Sequence, residues 1–347
     1  MERKIIKTAA LFLMICTLVF GIVLSRLSRS YAKEREQDKP QEMSGLELLD
    51  YFTTQSEEDE EELEHQMRIT LPSGMTEEDI AIRCDYVQQL VTITIPGIDE
   101  NYFYDHPLLG SSNHIDDLMI GSDIGVGVIE ITLDQVYEIQ SSVQNSCLYL
   151  DFMLPHDLYE KVVVVDAGHG GTEPGAVKQG VLEKGINLAI VLELKKLLDE
   201  NGKIKVYYTR TEDVSVSLDQ RVQLANKADA NLFVSVHSNS TKDGKMSNYH
   251  GTEVMYDEEK ADEEMGSMQF SEIMLSETVA TLGSKNDGLI RGHNIYIIRT
   301  SQVPVALVEV GFMTSLEELE SLQNEEYQKK AAQGIYNGII RALEEGY

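Results

Sequence analysis

Three short, β-branched apolar runs lie far apart in this chain, and each one ends on a chemically active side chain. Residues 161–165 lead into Asp166-Ala167-Gly168-His169-Gly170-Gly171, residues 232–236 into His237-Ser238-Asn239, and residues 303–308 into Glu309-Val310-Gly311-Phe312. Apolar runs of this length without alternation are the pattern of strands buried on both faces. Burial on both faces implies a parallel sheet covered by helices, and in open sheets of that kind ligands sit in the crevice outside the carboxyl ends of the strands.

The rest of the C-terminal half fits that frame. Strands are expected at 161–165, 204–209, 232–237, 252–256, 294–298 and 305–309, with helices at 183–201, 218–230, 266–283 and 324–345. The first of these helices carries Leu188, Val191, Leu192, Leu194 and Leu198 at an amphipathic spacing and stops at Asn201-Gly202, as a helix should. The reading is an α/β domain over 161–347, a mostly parallel twisted sheet of about six strands with helices on both faces. Residues 65–158 read differently. Met67-Arg68-Ile69-Thr70-Leu71, residues 90–96, 127–133 and 147–153 alternate with period two between Gly, Pro and Asn breaks, the pattern of a small antiparallel β-rich domain.

The N-terminus carries Arg3, Lys4 and Lys7 ahead of an uncharged run of 18 residues from Thr8 to Ser25. Such a run is longer than the usual signal core and just long enough to span a bilayer, so residues 1–32 read as a signal or membrane anchor, with an uncleaved membrane helix favoured over cleavage at Ser30-Tyr31-Ala32 and secretion, because Arg26 and Arg29 separate that site from the apolar run. Residues 33–64 are polar and end in Glu57-Glu58-Asp59-Glu60-Glu61-Glu62, an acidic spacer with one short apolar face around 45–52. Basic residues flank the run on both sides and leave its orientation open, so the expected location of the rest of the chain, the extracytoplasmic face of a cell envelope, follows from the signal-like start together with the chemistry below. Cys84 and Cys147 are compatible there with a disulfide or with two free thiols.

The formal charge is −30, and between residue 40 and residue 160 the only basic side chains are Arg68 and Arg83. A field of that sign repels phosphate backbones, which argues against nucleic acid as a partner.

The chemistry rests on four side chains. His169 sits in a glycine-rich turn, Glu183 opens the long helix 14 residues later, and His237 and Glu309 end two central strands. Taken singly, most of them have ordinary structural explanations: a turn histidine, a buried histidine, a first-turn glutamate favoured by the helix dipole. Glu309 is the exception, because a carboxylate within Val305-Ala306-Leu307-Val308-Glu309-Val310 is costly to bury without a cation or donors. Two imidazoles, one carboxylate and an open position for water make a catalytic zinc set, in which bound water reaches a pKa of about 7. A second carboxylate then serves as general base.

At these residues the segment 161–345 resembles the zinc-dependent N-acetylmuramoyl-L-alanine amidases of the type 3 family. The matching blocks are residues 165–176, Glu183-Lys184-Gly185-Ile186-Asn187-Leu188, Tyr208-Thr209-Arg210, residues 218–226, Ser235-Val236-His237-Ser238-Asn239 and Val308-Glu309-Val310-Gly311-Phe312. The resemblance implies one Zn2+ on His169, Glu183 and His237, with Glu309 catalytic, and peptidoglycan as the partner. It implies hydrolysis of the amide between N-acetylmuramic acid and L-Ala. Glu173 departs from the Asp usual in that family. Arg291 and Asn239 are the candidate substrate contacts, whereas Arg210 and Arg221 lie in framework blocks. The β-rich domain loosely resembles the family's N-terminal wall-targeting domain. Two other readings use the same features: a zinc peptidase acting on the stem peptide, and a catalytically silent wall-binding or activator protein. The chain carries no signature that decides for or against a protein activator.

Overall fold

Period-two alternation buries one face of strands such as 90–96, 126–133 and 147–153, and the N-terminal region forms two four-stranded antiparallel sheets. The computed structural model describes residues 44–56, 65–99, 101–260 and 265–347. The expected membrane helix and most of the acidic spacer lie outside the described residues. Among the described residues no helix is long and apolar enough to cross a membrane. Helix α1 (Gly45–Gln55) is the helical stretch expected in the spacer, but it is not simply solvated, since Leu49 and Thr53 are buried. Thr53 exchanges hydrogen bonds with the backbone of Gly110 at 3.0 and 3.1 Å.

The β-rich region runs β1 (Met67–Thr70), β2 (Ala81–Asp85), β3 (Leu90–Pro96), α2 (Tyr102–Asp105), β4 (Leu109–Gly110), β5 (Ile115–Asp123), β6 (Val126–Leu133), β7 (Glu138–Gln144), β8 (Cys147–Met153) and α3 (Pro155–Leu158). The sheet orders are β4-β1-β8-β7 and β2-β3-β6-β5. Val91, Ile93 and Ile95 of β3 and Ile129, Ile131 and Leu133 of β6 are the buried alternates. Cys84 on β2 and Cys147 on β8 are free thiols.

Residues 49–347 form one compact unit, so the β-rich region is joined to the C-terminal half by packing as well as by chain. Glu138 accepts hydrogen bonds from Tyr207 and Lys205, each at 2.7 Å, and the Lys205 ammonium lies over the rings of Tyr86, Tyr159 and Tyr207. Val136 shares an apolar cluster with Val162, Val164 and Phe233.

The second half contains β9 (Val162–Ala167), β10 (Val177–Lys178), β11 (Val181–Leu182), α4 (Glu183–Asn201), β12 (Lys205–Tyr208), α5 (Leu218–Lys227), β13 (Leu232–Asn239), β14 (Thr252–Tyr256), α6 (Ser267–Leu282), β15 (Asn286–Arg291), α7 (Tyr296–Thr300), β16 (Val305–Phe312), α8 (Leu316–Leu322) and α9 (Glu325–Glu344). The sheet order is β12-β9-β13-β16-β14-β15. Strands β12, β9, β13 and β16 are mutually parallel, whereas β14 is antiparallel to β16 and parallel to β15. The sheet is therefore mixed rather than simply parallel. Every residue of β9 and β16 is buried, which explains their unbroken apolar runs.

One expected strand is a helix. Residues 294–298 were expected to extend, but Tyr296–Thr300 is helical and the sixth strand is Asn286–Arg291. A short apolar run serves either geometry. Here Ile297 and Ile298 are buried in the cluster that holds α5, and the sheet edge is already occupied by β15.

Candidate metal centre and acid-base site

The parallel register sets these residues side by side: Val236 pairs with Ala167, and His237 with Glu309, but β13 and β16 do not stop there as expected and run on to Asn239 and Phe312, which also pair. His169 follows β9 with φ of 60°, a conformation rarely held without reason by a residue other than glycine, in a turn fixed by two buried arginines. Arg221 donates to the carbonyls of Ala167 at 2.8 Å and His169 at 2.7 Å, while Arg210 donates to Ala167 at 2.8 Å and Gly168 at 2.9 Å. Both arginines are engaged as framework, as their sequence blocks implied.

Arg221 also pairs with Asp166, which accepts further hydrogen bonds from Thr209 and Ser235, each at 2.6 Å. Burial pushes the Asp166 carboxyl up, but Arg221 and the two hydroxyls more than offset it and hold it below its ordinary range.

His169 Nε2 and His237 Nδ1 both point at Glu183 Oε1, at 3.2 and 2.9 Å. One donor atom from each of His169, Glu183 and His237 lies within 4.8 Å of the other two, the one such cluster among the described residues. Burial raises the Glu183 carboxyl, yet the hydrogen bonds from the two imidazoles, and their charge when protonated, pull it well below the usual carboxylate range. Asn187 Nδ2, one helical turn on, donates to Glu183 Oε1 at 3.2 Å, and Ala176 N donates to Oε2 at 2.8 Å. A Cβ on Gly168 would stand 2.3 Å from the His237 ring, and one on Gly175 would stand 2.5 Å from Glu183 Oε2. Both positions need glycine for the three donors to converge.

Glu309 is only 8% exposed and its buried Oε2 has no hydrogen-bond partner. Burial first, and then the neighbouring carboxyls of Glu183 and Glu253 whenever they are ionised, push its proton affinity well above the ordinary carboxylate value. A neutral core would select against such a group. A site that needs a poised proton carrier beside a cation would retain it.

Asn239 and Arg291 have different placements. Asn239 ends β13 but spends Nδ2 on Glu253 at 2.8 Å and Oδ1 on the backbone of Ser240 at 2.7 Å. Arg291 pairs with Tyr256, three positions along β14 from the Glu253–Glu309 pair and away from the strand tips, because β14 and β15 run opposite to β16. The structure does not bring Arg291 to the site, a consequence of strand direction that local sequence does not encode.

Three positioning side chains were missed by sequence reasoning. Asn187 and Ser238 lie inside the blocks that carry the resemblance, and Ser238 Oγ donates to Asn187 Oδ1 at 3.1 Å. Glu253 gave the same signal as Glu309, a carboxylate inside an expected buried strand.

Comparison with known proteins settles the family. The family profile described as N-acetylmuramoyl-L-alanine amidase (Amidase_3) matches residues 163–341. The chain belongs to the N-acetylmuramoyl-L-alanine amidase family. Among relatives, the Bacillus subtilis (strain 168) uncharacterized protein YqiI is 37% identical over 179 residues, 52% of this chain and 83% of that protein. The germination-specific N-acetylmuramoyl-L-alanine amidase of the same organism is 31% identical, over 53% of this chain and 81% of its own. The amidase LytC is 32% identical, and the match spans only 36% of its length. The crystal structure of an N-acetylmuramoyl-L-alanine amidase from Clostridium difficile 630 superposes with a TM-score of 0.50 at 31% identity, covering 54% of this chain and 98% of that one. The β-rich region before residue 163 lies outside the family match.

Proposed function

We propose that His169, Glu183 and His237 hold one zinc ion and that Glu309 moves the protons in hydrolysis of the amide between the lactyl group of N-acetylmuramic acid and L-Ala. The observation that carries this reading is the convergence of two imidazoles and one carboxylate within 4.8 Å, beside a buried Glu309 oxygen that lacks a partner. The donor set suits zinc, which favours imidazole nitrogen with carboxylate oxygen in catalytic sites. When bound, zinc supplies Lewis-acid polarisation and makes water more acidic.

The protein's own part is proton transfer. Glu309 takes a proton from the attacking water as the new C–O bond forms, then delivers it to the amide nitrogen as the C–N bond breaks. The products are the lactyl carboxylate and the free amino group of L-Ala. Glu183, held below its ordinary pKa, stays ionised throughout and is unsuited to this role.

The remaining expectations belong with this reading. The apolar N-terminal run would hold the enzyme at the outer face of the membrane, and the β-rich region would be a wall-targeting module. Tethering raises the local concentration of the catalytic half at the wall, so even weak wall binding by the β-rich region would add avidity.

The test is metal analysis of the full-length chain together with mass spectrometry of peptidoglycan digests, wild type against His169→Ala. The expected result is about one zinc per chain and new N-terminal L-Ala in wild type, with both lost in the variant. Cleavage within the stem peptide would instead indicate a peptidase. Metal-free protein with full activity would overturn the mechanism.

A further inference from the structure

The wall of the site opposite the metal ligands contains more acid than one general base requires. Glu253 on β14 pairs directly with Glu309 on the antiparallel strand β16, so the two side chains share a sheet face. Glu253 is itself buried, at 6% exposure. It pairs across the strands with Gly288 of β15, next to Asp287, whose carboxyl raises its proton affinity. Two ionised carboxylates cannot donate to each other, and with both written as ionised the buried Oδ2 of Asp287 has no donor. One proton between them removes the conflict.

The surroundings say which residue carries it. Asp287 Oδ1 is 2.6 Å from the Lys285 ammonium, which favours charge on Asp287. Glu253 faces the carboxyl of Glu309, the Tyr249 hydroxyl at 3.5 Å and the uncharged Asn239 amide at 2.8 Å, but no cation. On the other face of β14, Val254 shares an apolar cluster with Phe270 and Met274 of α6.

Building on the amidase reading above, the geometry points to Glu253 as a positioning residue: held by Asn239 and sharing a proton with Asp287, it presents an uncharged carboxyl to Glu309. A second ionised carboxylate there would raise the proton affinity of Glu309 and leave it unable to accept the water's proton. Burial, then the hydrogen bond to Asp287, pushes Glu253 up to about 7, in the direction this arrangement requires.

Because that value is raised in the folded state, the stability linked to Glu253 is present below its ordinary value of 4.5 and is lost as pH rises through about 7. Glu253→Gln keeps a donor for Asp287 and an acceptor for Asn239 but cannot ionise. Its thermal midpoint relative to wild type should therefore climb by several degrees between pH 5 and pH 8. In activity, Glu253→Ala should lower kcat/KM at least tenfold, with most of the loss restored by Glu253→Gln. Asp287→Asn, which lets Glu253 ionise, should lower kcat/KM several-fold, and adding Glu253→Gln to that variant should recover activity.

The idea is overturned if the midpoint difference is flat with pH, or if Glu253→Gln worsens Asp287→Asn instead of rescuing it. Absence of turnover by wild type would sink the amidase reading alone, since the thermal measurement still decides the proton sharing.

Discussion

The two walls of the site each bury a glutamate, and the two are held in opposite ways. Glu183, at the start of α4, faces two imidazoles and accepts hydrogen bonds from Asn187 and Ala176. Glu309, on β16, faces Glu253 and Glu183 and leaves Oε2 without a partner. The same side chain becomes a fixed anion on one wall and a proton carrier on the other. Residue type sets what a carboxyl can do, and the charges placed around it set what it does.

Substitutions should separate the walls. Glu309→Gln should lower kcat about 10²–10⁴-fold, the range for loss of a general acid-base, with the metal content unchanged. His237→Ala, or treatment with a chelator, should abolish turnover together with the metal, and added zinc should restore only the chelated wild type. Metal loss in Glu309→Gln would show that the walls do not divide the work.

A smaller effect sharpens the ligand wall. Asp166→Asn leaves Arg221 without its buried counter-ion, so denaturant unfolding should show a loss of about 3–5 kcal/mol. Because the Asp166 carboxyl is depressed, its contribution is present above its ordinary value and lost as pH falls below it, and the gap between variant and wild type should narrow in acid.

The smallest effect is on the other wall. Glu318 of α8 accepts the backbone N–H of Phe312 at 2.7 Å and of Gly251 at 3.0 Å, tying the end of β16 to the start of β14. Glu318→Ala should cost about 1–3 kcal/mol in unfolding by leaving those donors unpaired, with a modest fall in kcat.

Much of the ligand wall was legible in the sequence. His169 lies beside glycines, Glu183 starts a helix and His237 closes a short apolar run, where local signals are strong, and the helix expected at 183–201 has those boundaries in the structure. The opposite wall was only half legible. Glu309 stood out as a charge in an apolar strand, but Glu253 gave the same signal without standing out, and Arg291 was expected near a site from which strand direction removes it. Residues 294–298 show the same limit, since an apolar pentapeptide fits a strand or a helical turn until the sheet edge is filled.

What the sequence by itself determined is the set of strand tips and the residues mounted on them, because burial on both faces demands unbroken apolar runs and makes any polar residue that ends one conspicuous. What only the tertiary structure decided is the charge each buried carboxyl can bear. That depends on neighbours such as Lys285, Asn239 and the paired imidazoles, which come from separate strands and loops and meet only when the sheet assembles.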